Sequence, residues 1–269
     1  MSLPDPSPDA TVVVTGASSG IGHELARELS RRGHHVTLVA RRRDRLEALQ
    51  AELGDDPGAD IAEADLGSEK ARSDLINRLE NADRHVAGLC NNAGVGAFGR
   101  FDRLPLDEHT AMVELNVDAL HHLTAALVPG MVRRGGGAVL NVASTAAFQP
   151  LVGLATYAAT KAFVQTLSEA VHAELSETGV SVTALCPGPT ESEWAERAGM
   201  DGGWGSALSG AIILKPEDVA RAGVDGMVKG RRTVVPGVQN KASTFGGRFV
   251  PRTLLLPVAK KVMEARLQR

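Results

Sequence analysis

The stretch TGASSGIG, Thr15–Gly22, decides how the rest of the chain is read. It follows the β-branched run Thr11–Thr15 and opens directly onto an amphipathic pattern, so it reads as a strand end, a tight turn and a helix start. Gly16, Gly20 and Gly22 let the backbone turn sharply and approach a pyrophosphate, whose charge then meets the positive end of the helix dipole. The spacing is G-x-x-x-G-x-G, so the generic G-x-G-x-x-G fingerprint is not met. A purely structural turn is the competing interpretation, and the placement between an apolar strand and a helix favours nucleotide binding.

Outward from this turn, short β-branched runs alternate with longer amphipathic ones. Strands are expected at Thr11–Thr15, His35–Ala40, Asp60–Glu63, Val86–Cys90, Ala138–Ala143, Val180–Leu185 and Thr233–Val235, with helices between them. That alternation predicts an α/β fold, a single doubly wound domain whose parallel sheet of about seven strands carries helices on both faces. A length of 269 residues, 43% of them hydrophobic, suits one large domain. Residues 1–10 (PDPSPD and neighbours) read as a disordered lead-in without a signal pattern, residues 11–240 as the domain, and 241–269 as a basic extension. The formal charge of -3 gives no pull toward nucleic acid. Cys90 and Cys186 lie too far apart in sequence for a metal motif and read as small buried residues in a reducing, cytoplasmic setting. The histidines His34, His35, His121 and His122 form no ligand spacing, so no metal is expected, and they read as helix-end or surface residues.

The only tyrosine of the chain stands in TYAATKAF, Thr156–Phe163. In an alanine-rich helix, Tyr157 and Lys161 lie one turn apart on one face. A unit charge about 5 Å from a phenol, at an effective dielectric near 20, is worth roughly 3 kcal/mol, or about two pKa units, so the pair suggests an acid or base near neutral pH. By itself Y-x-x-x-K also describes a half-buried tyrosine beside a solvated lysine.

TGASSGIG, NNAG at Asn91–Gly94, LNV around Asn116, Ser144 at a strand end, YAATK and Pro187–Gly188 occur in the order and approximate spacing of one family. Across about two thirds of its length the chain resembles the short-chain dehydrogenases/reductases. The resemblance implies a catalytic set of Asn116, Ser144, Tyr157 and Lys161. Tyr157 would move the proton, Lys161 would lower its pKa and hold the nicotinamide ribose, and Ser144 would hold the substrate oxygen. Asn116, in a helix, would support a water that relays protons to Lys161. It also implies cofactor contacts from Gly16, Ser18, Ser19, Gly20, Ile21 and Gly22 to the phosphates. Asp65 and Leu66 would meet adenine, Asn92, Ala93 and Gly94 its ribose, and Pro187, Gly188, Thr190 and Ser192 the carboxamide. Read without the resemblance, Asp65 is a helix-cap candidate, Ser144 a strand-end hydroxyl and Asn116 a polar helix residue.

The end of the second strand, VTLVARRR, points to the cofactor. Where NAD-binding chains carry an acid for the ribose 2′-hydroxyl, this one has Ala40 followed by Arg41 and Arg42, which suits a 2′-phosphate and favours NADP(H) over NAD(H). Ser19 departs from the basic residue that many NADP-dependent relatives place before the middle glycine.

The expected activity is hydride transfer between NADP(H) and a carbonyl/alcohol pair. The competing class is a non-catalytic NADP(H)-binding redox sensor, which would typically have lost the tyrosine or lysine. Family likeness further implies a homodimer or homotetramer. A substrate lid is expected at about 190–215, where Trp194, Met200 and Trp204 suggest an apolar ketone or alcohol as the small-molecule partner. From Lys229 onward the chain has ten Lys/Arg against one acid, Glu264. Two placements compete for this tail: packed over the pocket or a neighbouring subunit, or resting on an anionic membrane. Pro251 and Pro257 should break it into short pieces, which favours packing.

Overall fold

β1, Ala10–Thr15, is buried at every residue and faces two cores. Val12 and Val14 pack with Leu25, Leu38 and Met227 on one side, while Val13 packs with Leu89, Leu123 and Met131 on the other. A strand apolar on both faces needs a helical layer above and below it. The computed structural model, which describes residues 2–200, 213–247 and 251–267, has that layering.

The sheet comprises β1, β2 (Val36–Ala40), β3 (Ala59–Glu63), β4 (His85–Asn91), β5 (Gly137–Val142), β6 (Val180–Leu185) and β7 (Thr233–Val234) in the order β3-β2-β1-β4-β5-β6-β7. Every pairing is parallel. All seven expected strands form, with ends displaced by a residue or so. The helices needed below are α1 (Gly20–Arg31), α2 (Arg43–Leu53), α3 (Glu69–Glu80), α4 (Leu106–Val113), α5 (Leu120–Arg133) and α6 (Ala155–Glu174). α1 packs beside helix Pro216–Val228, and α3 packs beside α5. Strand order reverses between β1 and β4, which opens a crevice at the carboxyl ends of the strands where such sheets bind ligands.

Three expectations need correction, and a fourth falls in part outside the described residues. The lead-in is not a loose tail: Leu3 is buried in the core, its N–H donates to the Met227 carbonyl at 3.3 Å, and β1 already starts at Ala10. One apolar side chain three residues from the start suffices to anchor a proline-stiffened segment. The C-terminal extension is not broken at Pro257, because a single helix, Arg252–Leu267, runs through it with Pro251 at its N-terminal boundary. An internal proline removes one helical hydrogen bond, and the remaining turns continue on either side. His34 and His35 are buried, and burial pushes both imidazoles below their ordinary pKa. They sit where the chain leaves α1 for β2, and His35 Nδ1 shares a 3.0 Å hydrogen bond with Thr11 Oγ1 on β1. The middle of the expected lid, including Trp204, lies outside the described residues.

Candidate active site

The turn between β1 and α1 is built for an anion. Gly16 has φ +67°, a conformation that side-chain-bearing residues rarely adopt, and α1 begins with no side-chain cap on its first amides and no acid in its first turn. Gly22 packs under the turn, where a Cβ would collide with Asn92 Nδ2 and the Gly16 carbonyl. Asn92 holds the turn by donating from Nδ2 to the Thr15 carbonyl at 2.9 Å. Thr15 Oγ1 accepts from the amides of Asn92 and Ala93 at 2.9 and 3.0 Å.

From this turn a cleft of about 620 Å³ runs along the strand ends. Apart from Gly22, every residue expected to touch the cofactor lines it, from Arg41, Arg42, Asp65 and Leu66 to Pro187, Gly188, Thr190 and Ser192. Ser144, Tyr157 and Lys161 line it as well.

Tyr157 and Lys161 lie on the first two turns of α6, with the Lys161 ammonium 5.8 Å from the tyrosine ring centre. Lys161 Nζ donates to the Val142 carbonyl at 2.8 Å, at the end of β5. Both groups are buried. Burial pushes the Tyr157 phenol up to about 12, against a smaller downward pull from its hydrogen bond with Ser144. Burial also brings Lys161 down to about 8. The phenol is thus raised, not lowered toward neutrality as its spacing from Lys161 suggested, because a phenolate is costly in a site away from water.

Asn116 does not reach the cleft. It sits in a π-helical turn, Glu114–Ala119, between α4 and α5. Its Nδ2 donates to the Val95 carbonyl at 2.9 Å and to Thr160 Oγ1 at 3.0 Å, and its Oδ1 accepts from the Val95 amide at 2.9 Å. It therefore locks the strand end after β4 to α6, behind Gly94, where an added Cβ would lie 3.0 Å from Asn116 Oδ1 and 3.4 Å from Lys161 Nζ. Wide π turns often mark functional sites, and this one brings a helix-interior amide to two backbone groups of another segment.

The segment where a lid was expected is pinned at its base. Thr190 and Leu214 pair, the Glu191 amide donates to the Leu214 carbonyl at 2.9 Å, and the Leu214 amide donates to the Pro189 carbonyl at the same distance. Trp194 packs its ring against Gly96 and stands 4.8 Å from the Tyr157 ring, tilted by 50°. Just before it, Glu193 accepts from Arg45 at 2.8 Å and from Arg42 at 3.3 Å, and it also pairs with Arg197. The Arg45 hydrogen bond first, then Arg42 and Arg197, hold its carboxyl at about 2.

These features meet known proteins at several points. Residues 10–201 match the family described as short chain dehydrogenase. The chain belongs to the short-chain dehydrogenase/reductase family. It is 35% identical over 216 residues to the NADP-dependent 3-hydroxy acid dehydrogenase YdfG of Escherichia coli O6:H1, covering 78% of this chain and 86% of that protein. Among solved structures, it matches a short-chain dehydrogenase from Sphingobium yanoikuyae in complex with NADPH with TM-score 0.79 and 34% identity, over 92% of this chain and 95% of the other. It also matches the bulky-bulky ketone specific alcohol dehydrogenase from Comamonas testosteroni with TM-score 0.75 and 28% identity, over 90% and 93%.

As a member of this family the chain is an oxidoreductase, and several of its site residues carry no readable signature. Glu193 and Arg197 belong to no motif, and Arg45 looks like part of a solvated helix start. Thr160, which receives the Asn116 amide, is hidden inside YAATK. The C-terminal helix brings Leu255, Val258 and Ala259 to the cleft, with Leu254 and Val258 still largely exposed. An i, i+4 apolar pair in a basic tail was the only available sign.

Proposed function

We propose that this chain interconverts an apolar ketone and its secondary alcohol with NADP(H), with Tyr157 as the general acid and base. The observation that carries this is the convergence of the Tyr157 phenol, the Ser144 hydroxyl and the buried Lys161 ammonium in one cleft that begins at the uncapped start of α1.

The residues present fit the cofactor. The turn from Gly16 to Ile21 would hold the pyrophosphate, Arg41 and Arg42 the 2′-phosphate, and Asp65 the adenine. Asn92, Ala93 and Gly94 would border the adenine ribose, and Thr190 and Ser192 would hold the carboxamide. Lys161 would hydrogen-bond the nicotinamide ribose. When bound, the nicotinamide supplies or accepts the hydride. Tyr157 gives its proton to the carbonyl oxygen during reduction, and a phenol held at about 12 carries that proton at neutral pH. Ser144 donates to the same oxygen as negative charge grows on it. Lys161 stabilises the phenolate that results. Asn116 keeps the wall between Gly94 and α6 in register and reaches the reacting groups only through a water.

NADP dependence in the Escherichia coli relative and NADPH in the Sphingobium complex support the cofactor assignment. Phe148, Leu151, Leu154, Trp194 and Met200 line the other end of the cleft and support an apolar substrate, and the ketone specificity named for the Comamonas relative supports a ketone. Exposed Leu106 and Val113 on α4 and Phe163 on α6 support pairing between copies through these helices. A cytoplasmic setting agrees with two reduced, buried cysteines.

The test is a panel of apolar ketones offered with 4-deuterated NADPH. Nucleotide oxidation with deuterium on the carbinol carbon is expected for at least one ketone. Tight NADPH binding with no turnover across the panel would instead favour a nucleotide-sensing module.

A further inference from the structure

Arg42 makes several hydrogen bonds within the protein. Its Nε and Nη2 donate to Ser18 Oγ at 3.2 and 2.9 Å, and Nη2 also donates to Ser19 Oγ at 2.9 Å. Its Nη1 donates to Glu193 at 3.3 Å. Glu193 comes from the expected lid segment, 151 residues further along the chain, and it also pairs with Arg197 and with Arg45, which lies on the same helix start as the arginines assigned to the 2′-phosphate. The next residue, Trp194, stands against Gly96 and Tyr157, and the Phe98 amide donates to the Ala198 carbonyl at 2.7 Å, so this part of the lid is docked on the loop after β4. Two consecutive residues of this segment thus touch the two ends of the cleft: a carboxylate on Arg42 and an indole on Tyr157.

We propose that Glu193 is a cofactor-selecting residue that competes with the 2′-phosphate for Arg42 and thereby ties the position of Trp194 over Tyr157 to occupancy of the phosphate site. A 2′-phosphate on Arg41 and Arg42 places nearly two negative charges beside a carboxylate that is ionised at any working pH, and like charges at this range repel. Glu193 turns away from Arg42, and the short helical turn Trp194–Arg197 carries the indole with it off the tyrosine ring. A nucleotide lacking the 2′-phosphate leaves the carboxylate where it is and gains nothing from displacing it. The inference rests on the NADP(H) assignment above.

The probes are 2′,5′-ADP, which carries the 2′-phosphate without a nicotinamide, and ADP, which lacks it. Their affinities are measured by calorimetry on the full-length protein and on Glu193→Gln. The variant should bind 2′,5′-ADP roughly two- to fivefold more tightly and ADP unchanged, the range that an exposed charge interaction supports. In a Trp204→Phe background, 2′,5′-ADP should alter Trp194 emission and ADP should not, and Glu193→Gln should start from the altered emission. Unchanged or weakened 2′,5′-ADP binding in Glu193→Gln overturns the inference while leaving the cofactor assignment intact. If the unsubstituted protein binds 2′,5′-ADP no better than ADP, the cofactor assignment fails and the inference falls with it.

Discussion

Gly16 and Gly20 at one end of the cleft, and Trp194 and Leu255 at the other, differ in what holds them. The phosphate end is made of backbone: a left-handed glycine, the open amides of α1, and Asn92 and Thr15 clamping two strand ends. Its geometry follows from a few residues within single turns. The substrate end is made of side chains that arrive from the loop after β4, the 3₁₀ turn Thr145–Phe148, the lid and a C-terminal helix. A backbone cradle accepts few sequences, whereas an apolar wall accepts many. The first end should therefore be sensitive to single changes of charge and the second to changes of shape.

The largest effect on cofactor binding is expected at the arginines. Arg41→Ala should weaken NADPH binding tenfold to a hundredfold, about 1.5–3 kcal/mol, and leave NADH within about twofold. Equal loss for both nucleotides, read by calorimetry, would mean that Arg41 holds the turn rather than the 2′-phosphate.

A second effect comes from the charge stored where the two ends meet. Lys161 has a folded-state pKa of about 8, below its ordinary 10.5, so between these values the unfolded chain holds a proton that the folded chain has released. Stability must rise with pH across that window, and the penalty is full below it. Relative to Lys161→Met, the unsubstituted protein should gain about 2 kcal/mol between pH 7.5 and 9.5 in denaturant titrations. A difference that stays flat with pH would show Lys161 to be better solvated than its burial implies.

The smallest effect sharpens the substrate end. Trp194→Ala removes the indole that flanks Tyr157 and should lower kcat/KM for compact ketones about tenfold while favouring bulkier ones, with NADPH affinity unchanged. Steady-state kinetics on a size series of ketones decides this, and a uniform loss across the series would make Trp194 a structural support only.

The same division explains what could be read beforehand. The strands, their number and the glycine turn were legible because each depends on period and on local backbone constraint, as in Val12–Val14 and Gly16. The tyrosine, lysine and serine proposed for catalysis stand in recognisable motifs, and the fold brings them to one cleft. What escaped depends on surroundings. Spacing places Tyr157 near Lys161, and only the fold shows that burial leaves the phenol near 12. Asn116 could be placed in a helix, and its grip on Val95 needs a π turn that periodicity does not reveal. Glu193 carries no local mark, because its meaning lies in arginines from α2 and its flanking segment.

The central claim is that the phosphate end binds and Tyr157 transfers the proton. It is tested most directly by single-turnover oxidation of NADPH by Tyr157→Phe with a confirmed ketone, alongside NADPH affinity. The account predicts binding within about twofold of the unsubstituted protein and a rate lower by about a thousandfold. A Tyr157→Phe protein that turns over at the original rate would contradict it.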